Sequence, residues 1–300
     1  MSGVETEVRV RVPGKINLAL RVGPTRTDDY HELATIFQAV SIYDEVVASS
    51  ADEVTCTATG ADAHTIGPEE NNLAFRAARL LQREYGVSDG VNLRIDKRIP
   101  VAGGMAGGSA DAAGALVACA RLWGIAASGE DLIRLGAELG ADVPFPLMGG
   151  CAVGLGRGDL LTPALTRGTY HWVVALSSHH LSTPEVFRRF DQMNPQPAAA
   201  HIPAEIMMAL ASGDPVRVAE CLVNDLSPAA FSLLPELHAT VNAGREAGCL
   251  AWIISGSGPT VAFLAHDEQA SMELAVALSS AGVARDVRMA TGPVPGATVV

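Results

Sequence analysis

The chain has 300 residues, 48% of them apolar, enough for one large domain or two of ordinary size. Against 33 Asp and Glu stand only 21 Lys and Arg, and a net charge of −12 argues against nucleic acid as a partner, though not against a phosphorylated ligand held locally. No apolar run reaches the roughly 18 residues of a membrane span. MSGVETEVRV has neither the basic nor the apolar part of a signal peptide, so the expectation is a soluble, cytoplasmic protein with no membrane partner.

EVRVRV (7–12) alternates polar and apolar residues and predicts a half-buried strand, interrupted at Pro13 and Gly14 before KINLAL resumes. Further strands are expected over 35–48 and 53–58, a helix over 72–84 with Gly86 just beyond, and a strand over 91–96. A glycine-rich loop follows, then a helix over about 109–123, another over 129–138, a loop through 140–150, and a strand and turn at 151–159. In the second half, 171–176 is a strand, and TPEVFRRF (183–190) starts a helix with Thr183 as N-cap and Pro184 at its first position. DQMNPQPAAAHIP (191–203) reads as a mobile loop. Helices are expected near 204–211, 215–223 and 235–247, strands at 250–254 and 261–264, a helix at 267–281, a strand at 285–290 and a loose tail. Strands and helices mix without strict βαβ alternation, which favours an α+β fold with a boundary near 165: one domain over 1–165, a second over 166–300.

Five scattered cysteines, none in a CxxC pair, read as reduced thiols rather than ligands. The chemistry concentrates elsewhere. IPVAGGMAGGSADAA (99–113) places Gly103, Gly104, Gly107 and Gly108 behind Pro100 and ahead of Ser109 and an alanine-rich helix. It fits neither GxGxxG nor GxxxxGK[ST]. Its physics is still that of an anion cradle, because glycines let successive N–H groups converge and a helix start adds unpaired donors. A glycine-rich turn packing helix on sheet is the plainer alternative. Ser109 is placed to cap the helix, touch a phosphate oxygen or face a metal ion.

Three more stretches share this character. PGKINLAL (13–20) sets Lys15 and Asn17 on one face of a strand. GADVPFPLMGG (140–150) isolates Asp142 in an apolar loop, costly unless a partner such as Lys15 is near. SGSGPTVAFL (255–264) is a second glycine loop, containing Gly256 and Gly258. On these residues alone, Lys15 and Asp142 form either a structural ion pair or a reacting pair.

In this order the motifs resemble those of the GHMP kinases, named for galacto-, homoserine, mevalonate and phosphomevalonate kinases. The resemblance spans roughly residues 10–265. It implies a two-domain α+β fold with the active site in the cleft between domains, ATP and Mg²⁺ as cofactors, and phosphoryl transfer to a small alcohol. It implies that Asp142 takes the proton from the acceptor hydroxyl while Lys15 stabilises charge on the attacking oxygen. Pro100, Gly103, Gly104, Gly107, Gly108 and Ser109 would hold the triphosphate, with Asn72 and Lys97 near adenine and ribose. Asn17, Gly256 and Gly258 would approach the acceptor.

DDYHELATIFQAV (28–40), LGADVPF (139–145) and TPEVF (183–187) are similar to those of one branch, which phosphorylates the 2-hydroxyl of a cytidine diphosphate conjugate of methylerythritol. Tyr30 and Phe187 would then sandwich the base, with His31 at its edge and Thr183 nearby. A mevalonate-like or homoserine-like kinase, and a catalytically silent nucleotide-binding protein, are the alternatives. The chain departs from the common family loop at Met105, Ala106 and Ala110. Ala106 does not easily take φ > 0, and Ala110 lacks a hydroxyl. Glu130, Asp131 and Glu138 precede Asp142, none assignable as a metal ligand, and Asp111 suits the helix dipole.

Overall fold

The structure is a computed structural model that describes residues 7–60, 62–63 and 69–300. In chain order, β1 (Glu7–Thr25), β2 (His31–Ala51) and β3 (Val54–Gly60) lead to α1 (Leu73–Tyr85) and β4 (Gly90–Lys97). α2 (Gly107–Leu122), α3 (Gly129–Leu139), the short α4 (Pro144–Met148), β5 (Cys151–Gly156) and β6 (Leu160–Pro163) follow. Then come β7 (Tyr170–Leu176), α5 (Thr183–Met193), α6 (Ala204–Ser212), α7 (Pro215–Ala219), β8 (Val223–Asn224), α8 (Ser227–Leu233) and α9 (Leu237–Glu246). β9 (Ala251–Ile254), β10 (Val261–Ala265), α10 (Glu268–Ala281), β11 (Asp286–Gly292) and β12 (Thr298–Val299) close the chain.

These elements make an α+β fold with two sheets. The larger runs β12-β1-β2-β4-β3, with β5 paired to the first half of β2, β6 beyond β5, and β8 parallel to β1. The smaller is antiparallel, β11-β7-β10-β9. EVRVRV and KINLAL form one continuous strand rather than two, because Pro13 and Gly14 sit at a register shift against β2 that accommodates a residue without an N–H. α2 lies close on β1 and β2. A methyl at Gly114 would meet Val46 Cγ2 at 2.7 Å, so the helix needs glycine there. One core joins this sheet, α1 and α2 to Trp172 and Val174 on the smaller sheet. A second core packs α9 and α10 on the opposite face, with Phe263 against Gly244.

Three local expectations are corrected, and α4 and α8 form where no helix was expected. The predicted 215–223 helix stops at Ala219, and Val223 and Asn224 instead pair with Ala19 and Leu20. α8 went unpredicted, as SPAAFSL offers too few residues for periodicity to show. The N-cap of α5 is Ser182, one residue earlier than Thr183, and its side chain makes no capping bond. The tail is not loose: β12 pairs with Val10 and Arg11, Gly150 N donates to Val294 O at 2.8 Å, and Ala297 N donates to Pro146 O at 2.8 Å. Its prolines and glycines make turns that tertiary pairing fixes.

Candidate active site

A cavity of about 760 Å³ is lined by β1 and β2, both glycine loops, Asp142 and the start of α5. Lys15 and Asn17 enter it from β1, two residues apart as strand geometry requires. Lys15 Nζ donates to Asn17 Oδ1 at 2.8 Å. Thr35 Oγ1 donates to Ala19 O at 2.7 Å and so accepts from Asn17 Nδ2 at 2.8 Å. That chain fixes which way the amide faces: its oxygen meets the ammonium. The Phe37 ring lies 5.1 Å from Lys15 Nζ. Burial pushes the Lys15 ammonium below the ordinary lysine value, while Asp142 pulls it back up. Lys15 and Asp142 line the same cavity without forming an ion pair, so of the two readings left open the structural bridge is absent between these two described residues, and both groups are open to a ligand.

The two glycine loops pack on each other. Ser255 Oγ donates to Gly104 O at 2.9 Å. Gly104 has φ +76°, and a methyl there would stand 2.0 Å from Ser255 O, so only glycine serves. A methyl at Gly256 would stand 3.5 Å from Lys15 Nζ, which puts the second loop directly over the ammonium. α2 begins at Gly107, with Ala106 as N-cap at φ +57° and no side-chain cap. Ala106 therefore does adopt the left-handed region, at a cost of roughly 1–2 kcal/mol. Ser109 lies in the first turn of α2 and is not the cap. Pro100, Gly103, Gly104, Gly107 and Gly108 line the cavity, whereas Ser109 and Gly258 do not. Ala110 and Met105 are fully buried in the core, so a hydroxyl at position 110 would face the packed interior.

At the far end Phe187 stacks on His31, with ring centroids 5.0 Å apart and 29° between planes. His31 Nε2 donates to Asp191 Oδ1 at 2.7 Å. Tyr30 is 57% exposed, and the Arg157 guanidinium sits 5.5 Å from its ring centroid, itself held by Asp159 at 2.7 Å. Thr183 Oγ1 hydrogen-bonds Ser257 Oγ at 2.8 Å, joining α5 to the second glycine loop.

Besides Ser109 and Gly258, two further expected residues stand apart from the cavity lining. Asn72 Oδ1 accepts from Ala74 N at 2.8 Å and caps α1. Lys97 is buried between Asp44 and Asp111, the latter at 2.7 Å; Asp111 is thus a buried hydrogen-bond partner of Lys97 rather than a dipole-facing surface group. Thr35, Arg157, Arg188 and Asp191 are among the cavity residues that went unpredicted. Strand periodicity could have found Thr35. The others carry no motif, since a polar side chain on a helix or turn looks the same whether it faces solvent or a cavity.

Among the described residues, no group of three His, Cys, Asp or Glu could hold a metal ion. Asp131 closes a capping box with Ser128, and Glu138 pairs with Arg134 at 3.3 Å. Donors therefore suit a nucleotide more than a lone cation: a glycine cradle, a 16-residue helix starting at it, and a buried lysine. Mg²⁺ fits such a site as the partner of phosphate oxygens with few protein ligands. No helix among the described residues is long and apolar enough to cross a membrane.

A profile of the GHMP kinases N terminal domain matches residues 72–150, and one of the GHMP kinases C terminal domain matches residues 206–284. A protein of Streptomyces avermitilis named 4-diphosphocytidyl-2-C-methyl-D-erythritol kinase is 50% identical over 298 residues, covering 98% of this chain and 99% of its own. Its namesake in Streptomyces coelicolor is 51% identical over 299 residues, covering 98% and 99%. The crystal structure of a 4-(cytidine 5′-diphospho)-2C-methyl-D-erythritol kinase superposes with a TM-score of 0.77 at 33% identity, covering 94% of this chain and 98% of that one.

Proposed function

The chain belongs to the GHMP kinase family, and from that premise we propose that it phosphorylates the 2-hydroxyl of 4-diphosphocytidyl-2-C-methyl-D-erythritol with ATP, a step of the non-mevalonate route to isoprenoid precursors. Near-full-length relatives with half their residues identical carry that activity in their names. The observation that carries the reading is one cavity holding a lysine and a carboxylate at one end and an aromatic group at the other, with two glycine loops between.

The chemistry follows from those positions. Asp142 accepts the proton of the acceptor hydroxyl, whose oxygen then forms a bond to the γ-phosphorus as the bond to the ADP oxygen breaks. Lys15 faces the charge that develops on the attacking oxygen, and Asn17 fixes the ammonium without neutralising it. The glycine loop and the start of α2 bind the triphosphate through backbone N–H groups. Mg²⁺, when bound, neutralises β and γ oxygens. Tyr30 and Phe187 stack on the cytosine, and His31, oriented by Asp191, meets its edge.

The test is ADP release measured separately with the cytidyl acceptor, mevalonate and homoserine. Turnover with the cytidyl compound alone is expected. Turnover with either of the others and none with the cytidyl compound would replace this reading by the corresponding relative's activity.

A further inference from the structure

A second buried charge cluster lies beneath the first glycine loop. Lys97, at the end of β4, points its ammonium between Asp44 on β2 and Asp111 on α2. Asp111 stands four residues after Gly107, hence one turn below it on the same helix face. A methyl at Gly107 would come within 3.2 Å of Lys97 Nζ, so cluster and loop are in contact.

The two carboxylates are not equivalent. Asp44 accepts from Lys97 and also from Arg98 N at 2.5 Å and Ile99 N at 2.7 Å. Asp111 accepts from Lys97 through Oδ2 at 2.7 Å, while its Oδ1 is buried with no hydrogen-bond partner. One cation can neutralise one carboxylate. The charge belongs on Asp44, which has three donors, and the proton on Asp111, which has one.

We propose that Asp111 is a positioning residue for the phosphate-facing loop, acting as a neutral carboxylic acid that ties the start of α2 to Lys97 without placing a net negative charge under the loop. With Asp111 protonated the cluster sums to zero, and the positive end of α2 meets an anion undiminished. With Asp111 ionised the cluster sums to −1. The charged groups facing Asp111 are Lys97 from β4 and Asp44 from β2; Ala74 and Ala77 of α1 and Val12 of β1, which share this core, carry no charge. Burial and the Asp44 charge push Asp111 up to about 8, against the pull of Lys97.

This inference rests on the loop taking the triphosphate. The experiment therefore measures binding of a non-hydrolysable ATP analogue with Mg²⁺ by calorimetry from pH 6.5 to 9.5, with no acceptor present. Wild-type Kd should rise about three- to sixfold between pH 7 and 9, the size expected for one charge roughly 10 Å away, at an effective dielectric of about 20–40, on a group titrating at about 8. Asp111→Asn keeps an acceptor for Lys97 and cannot ionise, so its Kd should match wild type at pH 7 and lack that rise. Titration of Lys15 is common to both proteins and cancels in the comparison. Asp111→Ala removes the tie and should weaken analogue binding about tenfold at pH 7 while leaving the acceptor KM unchanged. A flat wild-type profile, an Asp111→Asn profile as steep as wild type, or an Asp111→Ala protein that binds normally would each overturn the proposal. If Asp111→Asn does not fold, Lys15→Met, which lacks the other titrating group, takes its place: a rise kept in that variant supports the proposal, and a flat profile overturns it. A wrong acceptor assignment leaves the analogue-binding measurements unaffected, whereas no binding at any pH would mean that ATP itself is misassigned.

Discussion

Lys15 and Lys97 are equally buried, each 5% exposed, yet the chain treats their charges in opposite ways. Lys97 is enclosed by two aspartates, and their attraction outweighs burial and raises its affinity for a proton. Lys15 is bonded to a neutral amide beneath a ring face, and burial lowers its affinity further than the more distant Asp142 charge raises it. A neutralised cation is a cross-link. A cation left without a counter-ion in a cavity keeps its field for whatever binds there. The two sit on opposite sides of the same loop, whose Met105 O accepts from Lys15 N at 3.2 Å.

The largest effect expected from this contrast is kinetic. Asp142→Asn and Lys15→Met should each lower kcat by about a thousand-fold or more, while Asp142→Asn still binds the ATP analogue. Lys15→Met should melt no lower than wild type, because an unpaired buried charge costs stability. The pH dependence follows in sign. Folding depresses the Lys15 pKa, so the unfolded chain holds more protons and wild-type stability rises with pH from the depressed value up to the ordinary 10.5. Lys15→Met should lose that rise, measured by urea denaturation across the alkaline range. Wild-type kcat should fall across the same window as the ammonium is lost.

Lys97→Met should do the reverse. It leaves the Asp44 carboxylate buried without its cation and Asp111 without its partner, and should cost roughly 3–5 kcal/mol of stability in denaturant titration. A Lys97→Met protein as stable as wild type would erase the distinction between the two lysines. Smaller effects should separate the two ends of the cavity. Tyr30→Ala or Phe187→Ala should raise the acceptor KM by the equivalent of about 1–3 kcal/mol and leave the ATP KM near wild type. The opposite split would move the base to the other end. Smallest of all, Ala106→Gly relieves a side chain held at φ +57° and should raise stability by up to about 1 kcal/mol, read as a higher melting temperature.

What the sequence revealed divides by distance along the chain. α1 and α10 lie within a residue or two of their expected bounds because periodicity and caps are local. Lys15 with Asn17, and the glycine loops, were legible because each motif is contiguous. The cluster of Asp44, Lys97 and Asp111 was not, since 53 residues separate the first two and nothing in sequence distinguishes a buried carboxylate from a solvated one. β12 and β8 were missed for the same reason: two residues become a strand only when a distant edge accepts them. The absence of an ion pair between Lys15 and Asp142 is likewise a tertiary fact.

The tail that closes on β1 also bears on how the protein is made. β1 has β2 on one side, and on the other only Val223 and Asn224 and then Thr298 and Val299. During synthesis β1 therefore keeps an open edge until Thr298 and Val299 have emerged, and an open edge invites a second nascent chain to pair with it. The charges of Glu7, Arg9 and Arg11, alternating along that exposed stretch of β1, guard it until then.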